Sequence, residues 1–177
     1  MSITKHQRGF TMIEVLIAAF VLGVGLLGLA ALQAQSLQFN YSALQRSQAN
    51  ILAYDIIDRI RANQSLALTS ANIYNQGFGV PGSGTDCQAA AANCSTTEMA
   101  AFDIRQWKCS LGKFNGMAPC AGLGIDGPLT DGEGSVAVNV VAGRAQVTVT
   151  IRWTDNRTAR VADGDNPQET FIVNTVL

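Results

Sequence analysis

The hydrophobic pattern changes character along this chain. Val15–Leu32 is an apolar run without a charged residue, and its length of about 18 residues is the lower limit for a helix that spans a bilayer. No proline occurs from Phe10 to Ala62, so one helix of about 80 Å is predicted there. Beyond the run, apolar residues recur at spacings of three and four, which is typical of a helix with one buried face. These residues are Leu37, Tyr41, Leu44, Ile51, Leu52, Ile56 and Ile60.

The C-terminal part of the chain alternates between apolar and polar residues, as strands with one buried face do. Strands are predicted at about residues 135–141, 145–154 and 169–177, with a tight turn at Ala142-Gly143-Arg144. This order predicts an antiparallel meander whose apolar face is available to the long helix. In the second strand that face consists of Val147, Val149, Ile151 and Trp153.

A short helix is predicted between the long helix and the strands. Ser95 and Glu98 have the spacing of a capping box, and the helix runs from about Thr97 to Leu111. Its expected buried residues are Phe102 and Trp107. The fold class is therefore α+β: a long N-terminal helix, half transmembrane and half amphipathic, packed on a small antiparallel sheet with a short extra helix.

The segment before the apolar run is basic and ends in Gly9. Lys5 and Arg8 place this end of the chain in the cytoplasm by the positive-inside rule, so everything after Leu32 is expected to be periplasmic. A secretory signal has its cleavage site after the apolar core, whereas the only plausible processing glycine here lies before it. Cleavage after Gly9 would leave the hydrophobic helix on the mature protein.

Glu14 is an acid near the start of this helix. A carboxylate inside a bilayer costs roughly 2.5 to 3.5 kcal/mol or more, so it is usually paired and functional. The alternative is that Glu14 lies at the level of the lipid headgroups. The pattern favours the paired state.

The leader resembles the class III leader of type IV prepilins and of the pseudopilins of type II secretion. The residues that carry the resemblance are Lys5, Arg8, Gly9, Phe10, Thr11 and Glu14. The resemblance implies that prepilin peptidase cuts between Gly9 and Phe10 and methylates the amino group of Phe10. It also implies that Glu14 pairs with the terminal amine of a neighbouring subunit in the filament.

The same resemblance implies the type IV pilin fold and a division of the chain into four parts. These are a leader at residues 1–9, a transmembrane or filament-core helix at 10–33, an amphipathic half of the helix at 34–62, and a globular head at 63–177. The closest resemblance is to minor pilins of the PilV type. This chain lacks the proline that many major pilins carry near Ala31, and it lacks a cysteine pair around the extreme C-terminus.

Minor pilins of this type are held to prime pilus assembly and to form part of the tip complex needed for twitching motility and adhesion. The partners implied are prepilin peptidase, the other minor pilins, the major pilin, the tip adhesin and the inner-membrane assembly platform. Before assembly the chain would cross the inner membrane once with its head in the periplasm, and afterwards it would lie near the pilus tip at the cell surface. The alternative is a minor pseudopilin of a type II secretion system.

The four cysteines are Cys87, Cys94, Cys109 and Cys120. Their spacings match no usual zinc site, and the single histidine, His6, lies in the leader. In an exported domain disulfides are the better interpretation. Three pairings are possible, and the two local ones, Cys87–Cys94 and Cys109–Cys120, are favoured.

Little in the sequence indicates catalysis, a cofactor or nucleic-acid binding. Without a histidine in the mature chain, Ser-His and Cys-His pairs are excluded. Basic residues are scattered, and none of their runs reaches five. Asp163 and Asp165 are a weak candidate for a calcium loop, but a polar surface loop is favoured, so no metal is predicted. We expect a structural protein, not an enzyme.

Overall fold

The computed structural model of the protein describes residues 9–69, 73–89, 93–155 and 168–177. The chain divides into two units, Met1–Asn40 and Tyr41–Leu177, and one helix runs through the boundary between them. The helices and strands are α1 (Met12–Ala62), α2 (Gln64–Ala67), α3 (Thr96–Cys109), β1 (Glu133–Val141), β2 (Arg144–Thr154) and β3 (Gln168–Val176).

In the first unit, the described residues are those of α1 and the short segment before it. The helix begins at Met12, two residues after the predicted start, because the Thr11 carbonyl accepts the first helical bond from the Glu14 amide at 3.1 Å. From Phe10 to Leu32, each large apolar side chain is at least 55% exposed. An apolar helix without a buried face has no core to stabilise it, so it needs a membrane or other helices around it.

The second unit contains a three-stranded antiparallel sheet in the order β1-β2-β3. Val149 in the central strand pairs with Val136 on one side and with Val173 on the other. Two residues, Ala142 and Gly143, connect β1 to β2, and both have positive φ, +50° and +75°. Two such residues make the tight turn that matches the twist of a hairpin. The predicted meander and fold class are confirmed.

The core of the second unit lies between the sheet and the C-terminal half of α1. Val147, Val149, Ile151 and Trp153 of β2 are each at most 1% exposed, as the alternating pattern predicted. Ile56, Ile57 and Ile60 of α1 belong to the same apolar cluster and are fully buried. At about 1.5 to 3 kcal/mol for each buried side chain of this size, this layer is the main source of the unit's stability.

The predicted buried face of α1 is partly wrong. Tyr41, Leu44 and Ile51 are 45–59% exposed, and Leu37, in the first unit, is 69% exposed. Ile56 and Ile60 are buried as predicted and Ile57 is buried beside them, but the remaining residues of the buried face are small or polar. Small residues let the helix approach a core that already holds two tryptophans, Trp107 and Trp153. Side-chain volume, and not hydrophobicity alone, therefore determines which face of α1 is buried. The small and polar residues concerned are Ser42, Gln45, Ala49 and Ala53.

Helix α3 begins with the capping box that the sequence predicts. Ser95 Oγ accepts a hydrogen bond from the Glu98 amide, and the Glu98 carboxylate accepts one from the Ser95 amide at 2.9 Å. The helix ends at Cys109, two residues before the predicted end. Phe102 and Trp107 are buried as predicted, and Trp107 Nε1 donates to the Leu52 carbonyl of α1 at 2.8 Å. This bond ties α3 to α1 within the core.

Trp107 also explains a glycine in β1. A Cβ atom on Gly134 would lie 2.4 Å from Trp107 Cη2 and 2.8 Å from Leu111 Cδ1. Real carbon atoms do not approach so closely without a shift of the surrounding structure. The glycine therefore allows the indole ring to lie directly against the strand.

Candidate functional site

The candidate processing site is the short segment before α1. Gly9, Phe10 and Thr11 are exposed and lie outside the helix. Nothing lies within 4 Å of the position that a Gly9 Cβ would occupy. A protease needs accessible backbone, and the Gly9–Phe10 bond lies in exposed residues outside the helix. The leader residues before Gly9, including Lys5 and Arg8, lie outside the described part of the chain.

The apolar half of α1 is the second part of the candidate site. Among the described residues, α1 is the one helix long and apolar enough to cross a membrane, judged by length and composition, and its most apolar stretch has no buried residue. In water, an exposed surface of this kind would drive aggregation or association. It is compatible with a bilayer and equally with a bundle of similar helices.

Glu14 lies in the first turn of α1, one of the helix positions at which acids are favourable. Its side chain is exposed, and the described residues of this chain provide no hydrogen bond or ion pair to it. The nearest large apolar neighbours in sequence, Ile13 and Val15, are 66% and 58% exposed. A carboxylate with apolar neighbours in a membrane helix is usually paired, and the described residues of this chain supply no cation to Glu14.

Two disulfides stabilise the head around α3. Cys87 and Cys94 are bonded before the helix, and Cys109, its last residue, is bonded to Cys120. These are the two pairings that the sequence analysis favours. Cys109 and Cys120 are buried in a small apolar cluster with Phe114. Since bonds of this kind persist in oxidising compartments, the head suits the periplasm or the cell surface.

A buried carboxylate joins the sheet to the segment after α3. Glu133, the first residue of β1, is 2% exposed and accepts hydrogen bonds from Lys113 Nζ at 2.7 Å and Arg152 Nε at 2.8 Å. Burial by itself raises the pKa of Glu133, but the bonds from the two cations outweigh it and hold the pKa below its usual value. The Arg152 guanidinium also lies 4.0 Å above the ring of Phe78, a residue of the segment between α2 and α3 (the connector), and this contact holds the connector against the sheet.

A second polar cluster joins α1 to α3 and to the start of the connector. Arg59 contacts Asp55 at 3.1 Å and Asp103 at 3.3 Å, and Tyr74 donates to the other oxygen of Asp103. Burial raises the pKa of Asp103 despite Arg59, and burial raises the pKa of Tyr74 to about 12. An open pocket of about 420 Å³ lies beside this cluster, with Arg59, Asn63, Met99 and Asp103 among its lining residues.

Lys108 of α3 is 2% exposed and donates to the Gly77 and Gly79 carbonyls at 2.6 Å and 3.2 Å. Burial lowers the pKa of Lys108, while the charge of Glu133 opposes that shift. The sequence analysis named neither Lys108 nor Glu133. Both look like ordinary surface charges in the sequence. Segments distant in sequence supply their partners: the carbonyls of Gly77 and Gly79 for Lys108, and the cations Lys113 and Arg152 for Glu133.

The described residues contain no group of three or more histidine, cysteine, aspartate or glutamate side chains arranged to hold a metal. The calcium candidates Asp163 and Asp165 lie outside the described residues. The polar clusters around Glu133 and Asp103 consist of ion pairs between structural elements. Their visible role is to connect the helices, the connector and the sheet.

Comparison with known families agrees with this arrangement. Residues 4–30 match the model of the prokaryotic N-terminal methylation motif. Residues 31–105 match the model of the family described as Tt1218-like, type IV pilin Tt1218. Residues 31–105 of this chain are therefore similar to a type IV pilin, and they follow a prepilin-type methylation motif. Comparisons with curated proteins and with solved structures gave no match.

The pilin match begins at Ala31, within α1, and ends at Arg105, within α3. It covers the half of α1 that carries Ser42 and Gln45, together with the connector and the Cys87–Cys94 bond. The family is a structural one, and its N-terminal motif implies contact with prepilin peptidase and with other pilins. An apolar helix with a prepilin leader indicates anchoring in a membrane and a place in a pilus.

Proposed function

We propose that this chain is a minor pilin of the type IV pilus, of the PilV type, that helps to prime assembly and forms part of the tip complex. Its function is to contribute a head and a helix to a filament required for twitching motility and adhesion. The observation that carries the proposal is the leader motif directly before an apolar helix with no buried face. Such a helix is retained when cleavage occurs on its N-terminal side.

In this proposal prepilin peptidase cuts between Gly9 and Phe10, and the new amino group is methylated. Residues 10–33 then anchor the chain in the inner membrane, with the amphipathic half at 34–62 and the head at 63–177 in the periplasm. The exposed position of the Gly9–Phe10 bond and the disulfides of the head support this orientation. During assembly the apolar helix leaves the lipid and packs among the helices of other subunits, and the chain reaches the cell surface near the pilus tip.

Glu14 provides the contact between subunits in this scheme. Its carboxylate has an apolar surrounding and receives no cation from the described part of its own chain. The methylated amine of Phe10 in a neighbouring subunit would supply the missing positive charge. Such a pair selects one axial position of the incoming helix, because any other position leaves a charge unpaired in apolar surroundings.

The minor role is supported by the positions of the disulfides. Both lie before the sheet, and the last cysteine, Cys120, precedes β1. No disulfide therefore holds the C-terminal strand, unlike the C-terminal region of common major pilins. The tip adhesin, the other minor pilins, the major pilin and the inner-membrane platform are the proposed partners.

The test of processing uses Gly9→Val in the full-length protein, with Gly77→Val as a matched control far from the leader. We expect the first variant to accumulate uncut in the inner membrane and the control to be processed. Mass spectrometry of the mature wild-type chain should show an N-methylated Phe10. Normal processing of Gly9→Val, or a mature chain that begins after the apolar run, would contradict the proposal.

The test of pairing uses Glu14→Ala, with Asp126→Ala as a control that removes an exposed carboxylate of the head. Glu14→Ala should be processed normally but should be depleted from sheared pili, because the terminal amine has lost its partner. Incorporation at the wild-type level would rule out the pairing.

The second candidate function is a minor pseudopilin of a type II secretion system, because the leader motif is shared by both machines. A deletion strain separates the two. Loss of twitching with normal exoprotein secretion supports the pilus, and the reverse supports the secretion system.

A further inference from the structure

The segment between α3 and β1 contains the one asparagine of the sequence that is followed by glycine, Asn115-Gly116. In such a pair the backbone nitrogen of glycine can attack the side-chain amide carbon of asparagine, because glycine has no side chain that hinders closure of the five-membered ring. Gly116 is exposed, and the described residues accept no hydrogen bond from its amide. Nothing lies within 4 Å of the position that a Gly116 Cβ would occupy. The attacking nitrogen therefore has open surroundings.

A turn of the backbone restrains Asn115 against this reaction. The Met117 amide donates to the Phe114 carbonyl at 3.1 Å, so Asn115 and Gly116 are the two middle residues of the turn. Gly116 has a φ of +77°, as the third residue of a type II turn does. Ring closure brings the Gly116 nitrogen into line with Cβ and Cγ of Asn115. The peptide plane between the two residues must rotate for this, and the rotation breaks the turn.

The carboxamide of Asn115 provides a second restraint. In the orientation that gives both of its ends a partner, the side-chain nitrogen donates to the Cys109 carbonyl at 2.9 Å. The side-chain oxygen accepts from the Gly127 amide at 3.0 Å. Asn115 therefore bridges the last residue of α3 and a residue of the following segment. Both hydrogen bonds of this bridge must break before the amide carbon can approach Gly116.

The Cys109–Cys120 disulfide encloses the turn and one end of the bridge. Cys109 supplies the carbonyl that Asn115 contacts, and the disulfide loop from Cys109 to Cys120 contains all four residues of the turn. Both cysteines are buried with Phe114, the residue that begins the turn. One covalent bond therefore joins the two parts of the chain that the restraints on Asn115 need.

We propose that Asn115 is a modification site that the Cys109–Cys120 disulfide keeps closed. Heads that lack this disulfide deamidate at Asn115 to aspartate and isoaspartate, whereas heads that contain it retain the asparagine. The inference depends on the fold of the head alone. It goes beyond the proposed function, because it requires neither cleavage of the leader nor assembly of a filament.

The reaction consumes water and needs no other reactant. Hydroxide takes the proton of the Gly116 amide, the nitrogen attacks the side-chain amide carbon of Asn115, and the bond from that carbon to the side-chain nitrogen breaks. The leaving nitrogen takes a proton from water and departs as ammonia, and a cyclic succinimide remains. Water then adds to either carbonyl of the succinimide and opens the ring to aspartate or isoaspartate. In total, one water is consumed and one ammonia is released.

The product of the reaction cannot rebuild the bridge. A carboxylate has no hydrogen to donate to the Cys109 carbonyl, so two acceptors would face each other where the 2.9 Å bond lies. Isoaspartate also adds a carbon atom to the backbone within the turn. Deamidation therefore permanently marks the heads whose disulfide formed late, and it opposes closure of their disulfide loop.

The test follows deamidation by peptide mapping and mass spectrometry of the purified full-length chain in detergent at mildly alkaline pH. Cys109→Ala/Cys120→Ala removes the disulfide, and Cys87→Ala/Cys94→Ala is the matched control that removes the other one. We expect Asn115 to deamidate about tenfold faster or more in the first variant, which corresponds to the loss of two ordinary hydrogen bonds. The control should stay within about twofold of the wild type.

Two further controls isolate the mechanism. Gly116→Ala in the chain without the Cys109–Cys120 disulfide should suppress the reaction, because a methyl group hinders ring closure. Asn139, which is exposed in β1 and followed by valine, is the reference in the same digest. Its deamidation should not change between the variants.

Several outcomes would overturn the proposal. Equal rates at Asn115 with and without the Cys109–Cys120 disulfide would show that the bond does not protect the site. Equal acceleration in the control variant, or at Asn139, would show that general loosening of the head is the cause. Near-ultraviolet circular dichroism reports the fold of each variant. Loss of that signal in Cys109→Ala/Cys120→Ala would mean that the bond holds the whole head and not this bridge, which also contradicts the proposal.

Asn115→Asp tests the consequence of the modification. After reduction and reoxidation in a glutathione buffer, this variant should recover less of the Cys109–Cys120 bond than the wild type, while Asn139→Asp should recover as much. Equal recovery in both variants would overturn the claim that deamidation opposes closure of the loop. Because these assays depend on neither cleavage nor assembly, their failure is distinct from a failure of the Gly9→Val test.

Discussion

At the scale of single residues, two of the described residues other than glycine, Asp131 and Ala142, have positive φ. Ala142 adopts a φ of +50° in the two-residue turn between β1 and β2. This conformation costs an L-residue with a Cβ roughly 1 to 2 kcal/mol, and asparagine tolerates it better than alanine. The neighbouring Gly143 has the φ of +75° that glycine adopts at no cost.

We therefore expect Ala142→Asn to stabilise the head by about 0.5 to 1 kcal/mol, since Asn-Gly is the preferred pair for this turn. The thermal midpoint should rise by roughly 2 °C. Ala137→Asn is the matched control, because Ala137 is exposed within β1 and has an ordinary strand conformation. An increase of the same size in both variants would show that turn geometry is not the cause.

Glu133 links the stability of the head to pH. Its folded pKa is below its usual value of 4.5, so its contribution to the free energy of unfolding is present above about pH 4.5. That contribution is lost as the pH falls through the folded pKa. Asp103 acts in the opposite direction, because its raised pKa favours the protonated folded state at low pH.

Glu133→Gln should lower the free energy of unfolding at pH 7 by about 1.5 to 3 kcal/mol, since Lys113 and Arg152 lose a charged acceptor. The variant should also lose stability less steeply than the wild type between pH 5 and pH 3. Urea unfolding of the full-length chain in detergent at these pH values measures both effects. Asp126→Asn, which removes an exposed carboxylate, should change neither by more than about 0.5 kcal/mol.

At the scale of secondary-structure elements, the head depends on close contact between α3 and β1. Gly134 leaves the space that the Trp107 ring occupies, and Trp107 in turn donates to the Leu52 carbonyl of α1. Three elements therefore meet at one indole ring. A change of shape at this point affects all of them, because a packed interior has little room to relax.

Gly134→Ala should destabilise the head by about 1 to 3 kcal/mol, because the added methyl group overlaps the indole ring. Gly82→Ala is the control, since nothing lies within 4 Å of the Cβ position there. Thermal unfolding followed by tryptophan fluorescence compares the two variants. Equal midpoints would mean that β1 can shift away from Trp107 without cost.

At the scale of the whole molecule, the two units differ in what they need from their surroundings. The residues from Tyr41 onward bury their own apolar core, whereas the described residues before Asn40 expose almost every large apolar side chain. Membrane retention should therefore depend on the first unit. It should not depend on the polar clusters around Glu133 and Asp103.

Val24→Lys tests this division, because a lysine at the centre of a membrane helix costs about 2.5 to 3.5 kcal/mol. We expect a larger fraction of the chain to be released by alkaline extraction of membranes, while the tryptophan fluorescence of the head stays unchanged. Val24→Leu should behave like the wild type. Full retention of Val24→Lys would show that this part of α1 does not lie in the hydrocarbon core.

The sequence by itself determined the long helix, the meander and the capping box of α3. Each depends on local patterns: the absence of proline from Phe10 to Ala62, the alternation along β2, and the spacing of Ser95 and Glu98. These patterns favour one backbone conformation through neighbouring residues alone. The leader motif can also be read from the sequence, because a protease recognises a short contiguous segment and a membrane accepts a contiguous apolar run.

Only the tertiary structure decided which face of α1 is buried and which charges leave the solvent. Ile51 is as apolar as Ile56, yet it is 59% exposed, because the space on that side of the sheet accepts Ala49 and Ala53. Glu133 and Lys108 are buried because segments distant in sequence supply their partners. The space available to a side chain and the partners available to a buried charge depend on contacts between residues distant in sequence. The periodicity of one segment does not reveal those contacts.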